Sequence, residues 1–221
     1  KHGFLDSSGH FAIKPAYENL VCINDHYFSM IDSSSDSHYY RLDEAAVKLV
    51  PVNEYHLISR LNNKLAVAAL ENGNEGVIDG NGKLVVPAVY SQLIYDEQSQ
   101  LLFTTTENDR YGLLTPQGQT VLPAQYGVVE GFSDGLSLVT KANREGYYGF
   151  IDMKGKKVIS LDGYDRVQSF SEGVALVEKE GKSAYIDTKG KMVLPFKYRE
   201  GKPFEQGVTS VVNDEGETGL I

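Results

Sequence analysis

A period of 35 to 37 residues constrains this chain more than its composition does. A signature glycine, or its substitute, recurs at Gly3, Tyr40, Gly76, Gly112, Gly149, Ala184 and Gly219, at intervals of 37, 36, 36, 37, 35 and 35. Six units and the start of a seventh follow from that spacing. A unit of this length cannot bury an apolar face alone, so neighbours must stack, and the stacked surface is the one such arrays use for binding.

Each unit carries the same turn chemistry. Gly76-Val77-Ile78-Asp79-Gly80-Asn81-Gly82-Lys83-Leu84-Val85-Val86-Pro87 and 149–159 are the cleanest copies. An acid opens the turn at Asp6, Asp43, Asp79, Asp152 and Asp187, with Thr115 in the remaining copy, and Gly9, Gly82, Gly118, Gly155 and Gly190 close it. Aspartate accepts the turn's own amides and glycine supplies the positive φ that returns the chain to a strand, which predicts a hairpin with a four-residue connection. Copy two has Ala46 in place of the closing glycine, so its turn is expected to be distorted.

Pro15, Pro51, Pro87, Pro123 and Pro195 then follow, with Ser160 as the exception, and proline is expected to end the strand because it cannot donate to a ladder. A tyrosine comes 14 or 15 residues after each signature position: Tyr17, Tyr55, Tyr90, Tyr126, Tyr164 and Tyr198. These are read as core residues whose hydroxyls cap loop backbone. In the C-terminal half, Phe132-Ser133-Asp134-Gly135, Phe170-Ser171-Glu172-Gly173 and Phe204-Glu205-Gln206-Gly207 lead into a third strand at 136–139, 174–177 and 208–212. No window shows a sustained helical period. The fold class is therefore all-β: a tandem array of about six three-stranded antiparallel meanders in a single domain, 1–221.

The run G-F-I-D-x-x-G-K-x-V-I-x-P-x-Y, followed by F-x-x-G and a third strand, resembles the WG-repeat (KWG-repeat) family of bacterial proteins over essentially the whole chain. The tryptophan that names the family is absent. Its positions hold His2, Tyr39, Glu75, Tyr111, Tyr148, Ser183 and Thr218, and the chain contains no Trp. The resemblance implies an all-β array of bacterial origin; it brings no single activity and no catalytic residues.

Composition narrows the function classes. A formal charge of −9 opposes nucleic-acid binding, which needs a positive footprint. Residues 1–110 hold 15 acids against 8 bases and 111–221 hold 15 against 13, so the N-terminal half can steer a basic partner. No apolar run has membrane-spanning length. Residue 1 is lysine, which fits a product from which a leader has been removed. Cys22, within Leu20-Val21-Cys22-Ile23, is the sole cysteine and reads as a buried packing thiol.

No motif for chemistry stands out. The histidines (His2, His10, His26, His38, His56) match no metal-ligand spacing, the aspartates recur singly rather than as a calcium loop, and no nucleophile elbow is present. The chain is thus expected to have no catalytic residues, no metal and no cofactor, and not to be an enzyme. Copies one and two depart most from the pattern, so partner contact is expected at His26, Tyr27, His38, Tyr39, Tyr40 and His56, rings that offer contact area among acids. The expected function is a non-enzymatic protein-binding module of the bacterial periplasm or cell envelope, such as an immunity or adaptor protein that occludes its partner. The alternative is recognition of glycan or peptidoglycan through the repeated tyrosines. An open superhelix is expected for the array, since 36 residues are short for a propeller blade; a closed six-bladed ring is the alternative.

Overall fold

The computed structural model describes residues 1–5, 8–43, 48–143 and 145–221. The turn opened by Asp6, the Ala46 turn and Arg144 fall outside them. Every regular element described is a β-strand. A hairpin of β1 (His2–Leu5) and β2 (Phe11–Tyr17) comes first. The next sheet is β3 (Asn19–Cys22), β4 (Tyr27–Ile31), β5 (Ser37–Asp43) and β6 (Lys48–Val52), and the one after it β7 (Leu57–Arg60), β8 (Leu65–Ala69), β9 (Glu75–Asp79) and β10 (Leu84–Tyr90). Then come β11 (Gln92–Asp96), β12 (Leu101–Thr105), β13 (Tyr111–Leu114) and β14 (Thr120–Tyr126), followed by β15 (Val128–Val129), β16 (Leu136–Thr140), β17 (Tyr147–Asp152) and β18 (Lys157–Ile159). The last two sheets are β19 (Arg166–Val167), β20 (Val174–Lys179), β21 (Lys182–Asp187) and β22 (Met192–Tyr198), and then β23 (Glu200–Gly201), β24 (Ser210–Val212) and β25 (Thr218–Leu220).

Within each sheet the strands lie side by side in chain order. The meander of three expected strands is present, and a fourth precedes it after each repeat tyrosine. In the C-terminal half that strand is short: β15 joins through only Val128↔Thr140 and Val129↔Val139. Two residues are too few to show an alternating pattern, which is why the sequence does not reveal it.

The signature glycine has a steric cause. From Glu75↔Tyr90 the ladder passes to Val77↔Val86, so β10 carries two extra residues there. The same offset lies between Tyr111↔Tyr126 and Leu113↔Leu122 and between Ser183↔Tyr198 and Tyr185↔Leu194. The bulging strand presses on the glycine: a Cβ at Gly112 would lie 2.7 Å from the Leu122 carbonyl oxygen and the Ala124 backbone, and one at Gly76 would lie 2.7 Å from the Val86 oxygen. The proline therefore does not end the strand as its chemistry suggested. β10, β14 and β22 each run through it to the tyrosine, because inside a bulge its missing N–H costs no ladder bond.

The turn reading holds where it is described. Asp79 Oδ1 accepts the amides of Asn81 (2.9 Å) and Lys83 (3.0 Å), and Asp152 and Asp187 repeat the pattern on 154/156 and 189/191. Gly82, Gly155 and Gly190 follow with φ of 85°, 76° and 78°. The repeat tyrosines are buried at Tyr126 and half-buried at the other five stations. Backbone capping falls instead to other tyrosines: Tyr27 donates to the Asp79 carbonyl (2.6 Å) and Tyr185 to that of Lys202 (2.8 Å). Cys22 is exposed rather than buried, its thiol 3.3 Å from the Asn24 carbonyl, because β3 is an edge strand and only Ile23 of the apolar run turns fully inward.

The chain divides into two compact units. One comprises Lys1–Tyr95, Thr104–Glu107 and Thr115–Gln119, the other Asp96–Phe103, Asn108–Leu114 and Thr120–Ile221. In the first, sheets β3–β6 and β7–β10 pack through Ile23, Tyr27, Tyr39, Ile58, Ala66, Ala68 and Ile78. In the second, Leu138, Phe150, Ile159, Phe170, Val177 and Ile186 fill the space between β15–β18 and β19–β22.

Candidate functional site

The seam between sheets β3–β6 and β7–β10 departs from the repeat on both sides. Where 132–135, 170–173 and 204–207 form a Phe-x-x-Gly turn, copies one and two have Asn24 and Asn62. Asn24 Oδ1 accepts the amides of His26 (2.9 Å) and Tyr27 (3.0 Å), and Asn62 Oδ1 accepts those of Lys64 and Leu65 (both 2.9 Å). The Asn24 amide group then reaches across to the carbonyls of Asn62 (3.2 Å) and Leu65 (3.1 Å). One buried side chain thus fixes both turns and sets His26 and Lys64 beside the same opening.

That opening is a cleft of about 750 Å³, walled by His26, Arg41, Lys64, Asp79 and Gly80 among others. Arg41 comes from β5, held by an unbroken ladder from Tyr39↔Val52 to Asp43↔Lys48 that lacks the bulge of the other copies. Its position follows the signature residue, where the other copies have Phe4, Val77, Leu113, Phe150, Tyr185 and Leu220. Val77, Leu113, Phe150 and Tyr185 are fully buried; in the ladder their station is filled in copy two by buried Tyr39, opposite Ser29, while half-exposed Arg41, opposite Tyr27, stands level with Asp79. Opposite, Gly80 accommodates the His26 ring; a Cβ there would approach three ring atoms to 2.7–2.8 Å. Beneath the cleft, burial pushes the Tyr27 hydroxyl well above its ordinary pKa, with the nearby Arg41 charge opposing.

The six residues singled out by sequence do not converge. His26 lines the cleft, and Tyr27 and Tyr39 lie in the core, 0% and 8% exposed. His38 and Tyr40 gather round Tyr17: the Tyr17 and Tyr40 hydroxyls are 2.6 Å apart, and the His38 ring meets Tyr17 edge-on at 5.7 Å. Burial, then the Tyr17 hydroxyl, pushes the Tyr40 pKa up to about 12. His38 Nε2 lies 2.9 Å from Asp32 Oδ2, and that bond holds the Asp32 carboxyl below the usual range. His56 is exposed ahead of β7, its amide bonded to the Ala69 carbonyl at 3.0 Å. Among the described residues no three His, Cys, Asp or Glu side chains group as metal ligands, and no helix is long and apolar enough to cross a membrane.

Sequence reasoning missed Arg41, Lys64, Gly80 and the two asparagines. Aligning the copies on the residue after each signature position would have found Arg41, the one charge in an apolar column. Nothing local marks Lys64 or Gly80, which meet the others only when two sheets pack.

The profile of the WG containing repeat matches residues 76–98, 111–144, 148–182 and 184–216, together more than half of the chain. No curated protein matches it. Among solved structures, Kluyveromyces lactis Hsv2 is similar at 12% identity with a TM-score of 0.37, over 93% of this chain and 73% of that one. The WD40 β-propeller domain of Doa1 is similar at 10% identity and a TM-score of 0.32, over 100% and 83%. BamB from Moraxella catarrhalis is similar at 11% identity and a TM-score of 0.31, over 98% and 77%. With the bulge glycines, capped turns and prolines recurring at the matched stations, the chain belongs to the WG-repeat family.

Proposed function

We propose that this β-repeat domain is a non-enzymatic protein-binding module, and that its partner, a basic protein, docks on the irregular first two copies. The observation that carries the reading is that exposed His38 and half-buried Tyr40 gather with Tyr17 beside Asp32, in a pair of copies that also carries Asp25, Asp36 and Glu54. Asp25, Asp36 and Glu54 are exposed, and the Asp32 side chain is 30% exposed. Rings supply contact area, and carboxylates around them speed association with a cationic surface. A bacterial cell-envelope setting, with the domain acting as an immunity or adaptor protein that occludes its partner, extends this reading. The glycan alternative loses support because the repeated tyrosines are spent on packing.

The test is capture of the partner on the tagged domain, followed by titration of the identified partner against His38→Ala/Tyr40→Ala. The double variant should bind more weakly by over about 1 kcal/mol, with association slowed by added salt. Undiminished binding by the folded double variant would move the contact away from copy two.

A further inference from the structure

We infer that the cleft at the β3–β6/β7–β10 seam is a binding site for a small oxyanion, a carboxylate or phosphate, gripped by Arg41 and Lys64. The first support is the balance of committed and uncommitted charge. The Asp79 carboxylate already accepts the amides of Asn81 and Lys83, and Asp43, also in the wall, has an interaction of its own. Arg41 and Lys64 enter no ion pair among the described residues. The chemistry left to meet a ligand is donation: a guanidinium fork, an ammonium and the exposed Asn81 amide. A carboxylate or phosphate presents the acceptors that such a set recognises.

The second support is that the cleft is built from substitutions that only make sense together. Arg41 pairs with Tyr27 at the register where Asp79, Asp152 and Asp187 pair with Leu65, Leu136 and Val174, so a cation stands at the station of the turn-opening aspartates. His26 stands where later copies place the turn glycines Gly135, Gly173 and Gly207, and Gly80 removes the side chain that would collide with its ring. Asn24 ties the His26 and Lys64 turns to each other. A regular copy would repeat the aspartate of Asp79 or Asp152 here. Instead the seam keeps a half-buried cation beside an opening of about 750 Å³, within the size range of small-ligand pockets.

The experiment is calorimetric titration of the intact domain with inorganic phosphate in one arm and succinate in the other. Saturable binding is expected in at least one arm, and the arm that responds separates phosphate from carboxylate. Arg41→Gln should weaken it about tenfold or more, the scale of losing a charge-assisted contact. Lys64 is exposed, so Lys64→Gln keeps the fold and gives a second reading if Arg41→Gln unfolds. Gly80→Val should weaken binding with both cations in place, because the new side chain drives the His26 ring out of position. Lys154→Gln, on the turn of a regular copy, should change nothing. Absence of saturable binding in both arms, or equal binding by the wild type and Lys64→Gln, would overturn the assignment.

Discussion

Sheets β3–β6 and β19–β22 share one strand order and differ in how they reach the next sheet. In β19–β22 the link is a carboxylate: Glu172 accepts the amides of Gln206 (2.6 Å) and Gly207 (2.7 Å), while Glu172 and Gly173 take the paired positive φ of 54° and 82° that a tight hairpin needs. In β3–β6 the polarity is reversed, and the Asn24 side chain donates to the carbonyls of Asn62 and Leu65. The regular link leaves Tyr185 fully buried against Leu176 and Val211. The reversed link leaves a cleft walled by Arg41, which by ladder register stands level with Asp187. The repeat therefore constrains the strand framework strongly and the seam weakly, so a seam can acquire charge without loss of the fold.

The largest expected effect tests that asymmetry directly. Phe150 is 0% exposed, and Phe150→Ala should destabilise the domain by about 3 to 5 kcal/mol in urea unfolding. Arg41→Leu, one residue past the signature position of copy two but level with Asp152 in the ladder, should shift stability by less than about 1 kcal/mol, since it removes a half-exposed side chain with no ion pair among the described residues. Equal losses at the two stations would mean that Arg41 is as much a packing residue as Phe150.

A smaller effect separates the two ladder types. Gly112 sits under a bulge, and Gly112→Val should cost about 1 to 3 kcal/mol because the neighbours it meets are backbone atoms that cannot rotate away. Gly112→Ala should cost less, as Ala184 keeps the same offset while fully buried. Tyr40 carries a full side chain because its ladder is straight, so Tyr40→Val should lose only the hydroxyl contact with Tyr17 and some packing. A Gly112→Val protein as stable as the wild type would show that the bulge, rather than the glycine, gives way.

The framework was legible because its causes are local. An aspartate and a glycine three residues apart determine a turn by themselves, and the repetition averages out accidents in any single copy. The fourth strands of the C-terminal half were not legible, since β15 and β19 hold two residues each and exist only because a neighbouring strand offers its edge. Cys22 was misread because an apolar run reports hydrophobicity without direction, and an edge strand turns part of that run to water. Tyr27 and Tyr39 looked like contact rings because they interrupt the pattern, yet an interruption can be absorbed by a neighbour, here Asp79 for Tyr27. The cleft joins residues up to 55 positions apart and becomes visible only when two sheets are packed.

The smallest effect concerns two carboxyls held below their ordinary pKa for different reasons. At Asp32 the leading cause is the hydrogen bond from His38; at Asp187 it is the Lys191 backbone amide. Either depressed group contributes stability that is present above the unfolded carboxyl value of about 4 and is lost as pH falls through the lower folded value. Substituting the neighbours should then split the pair in a carbon-detected NMR titration. His38→Ala should return Asp32 toward its ordinary value, because the donor leaves with the side chain. Lys191→Ala should leave most of the Asp187 depression in place, because the amide that causes it belongs to the backbone. A large rise at Asp187 in that variant would show that lysine charge, not turn geometry, holds the regular copies' aspartates, and the contrast between the two sheets would then be one of charge alone.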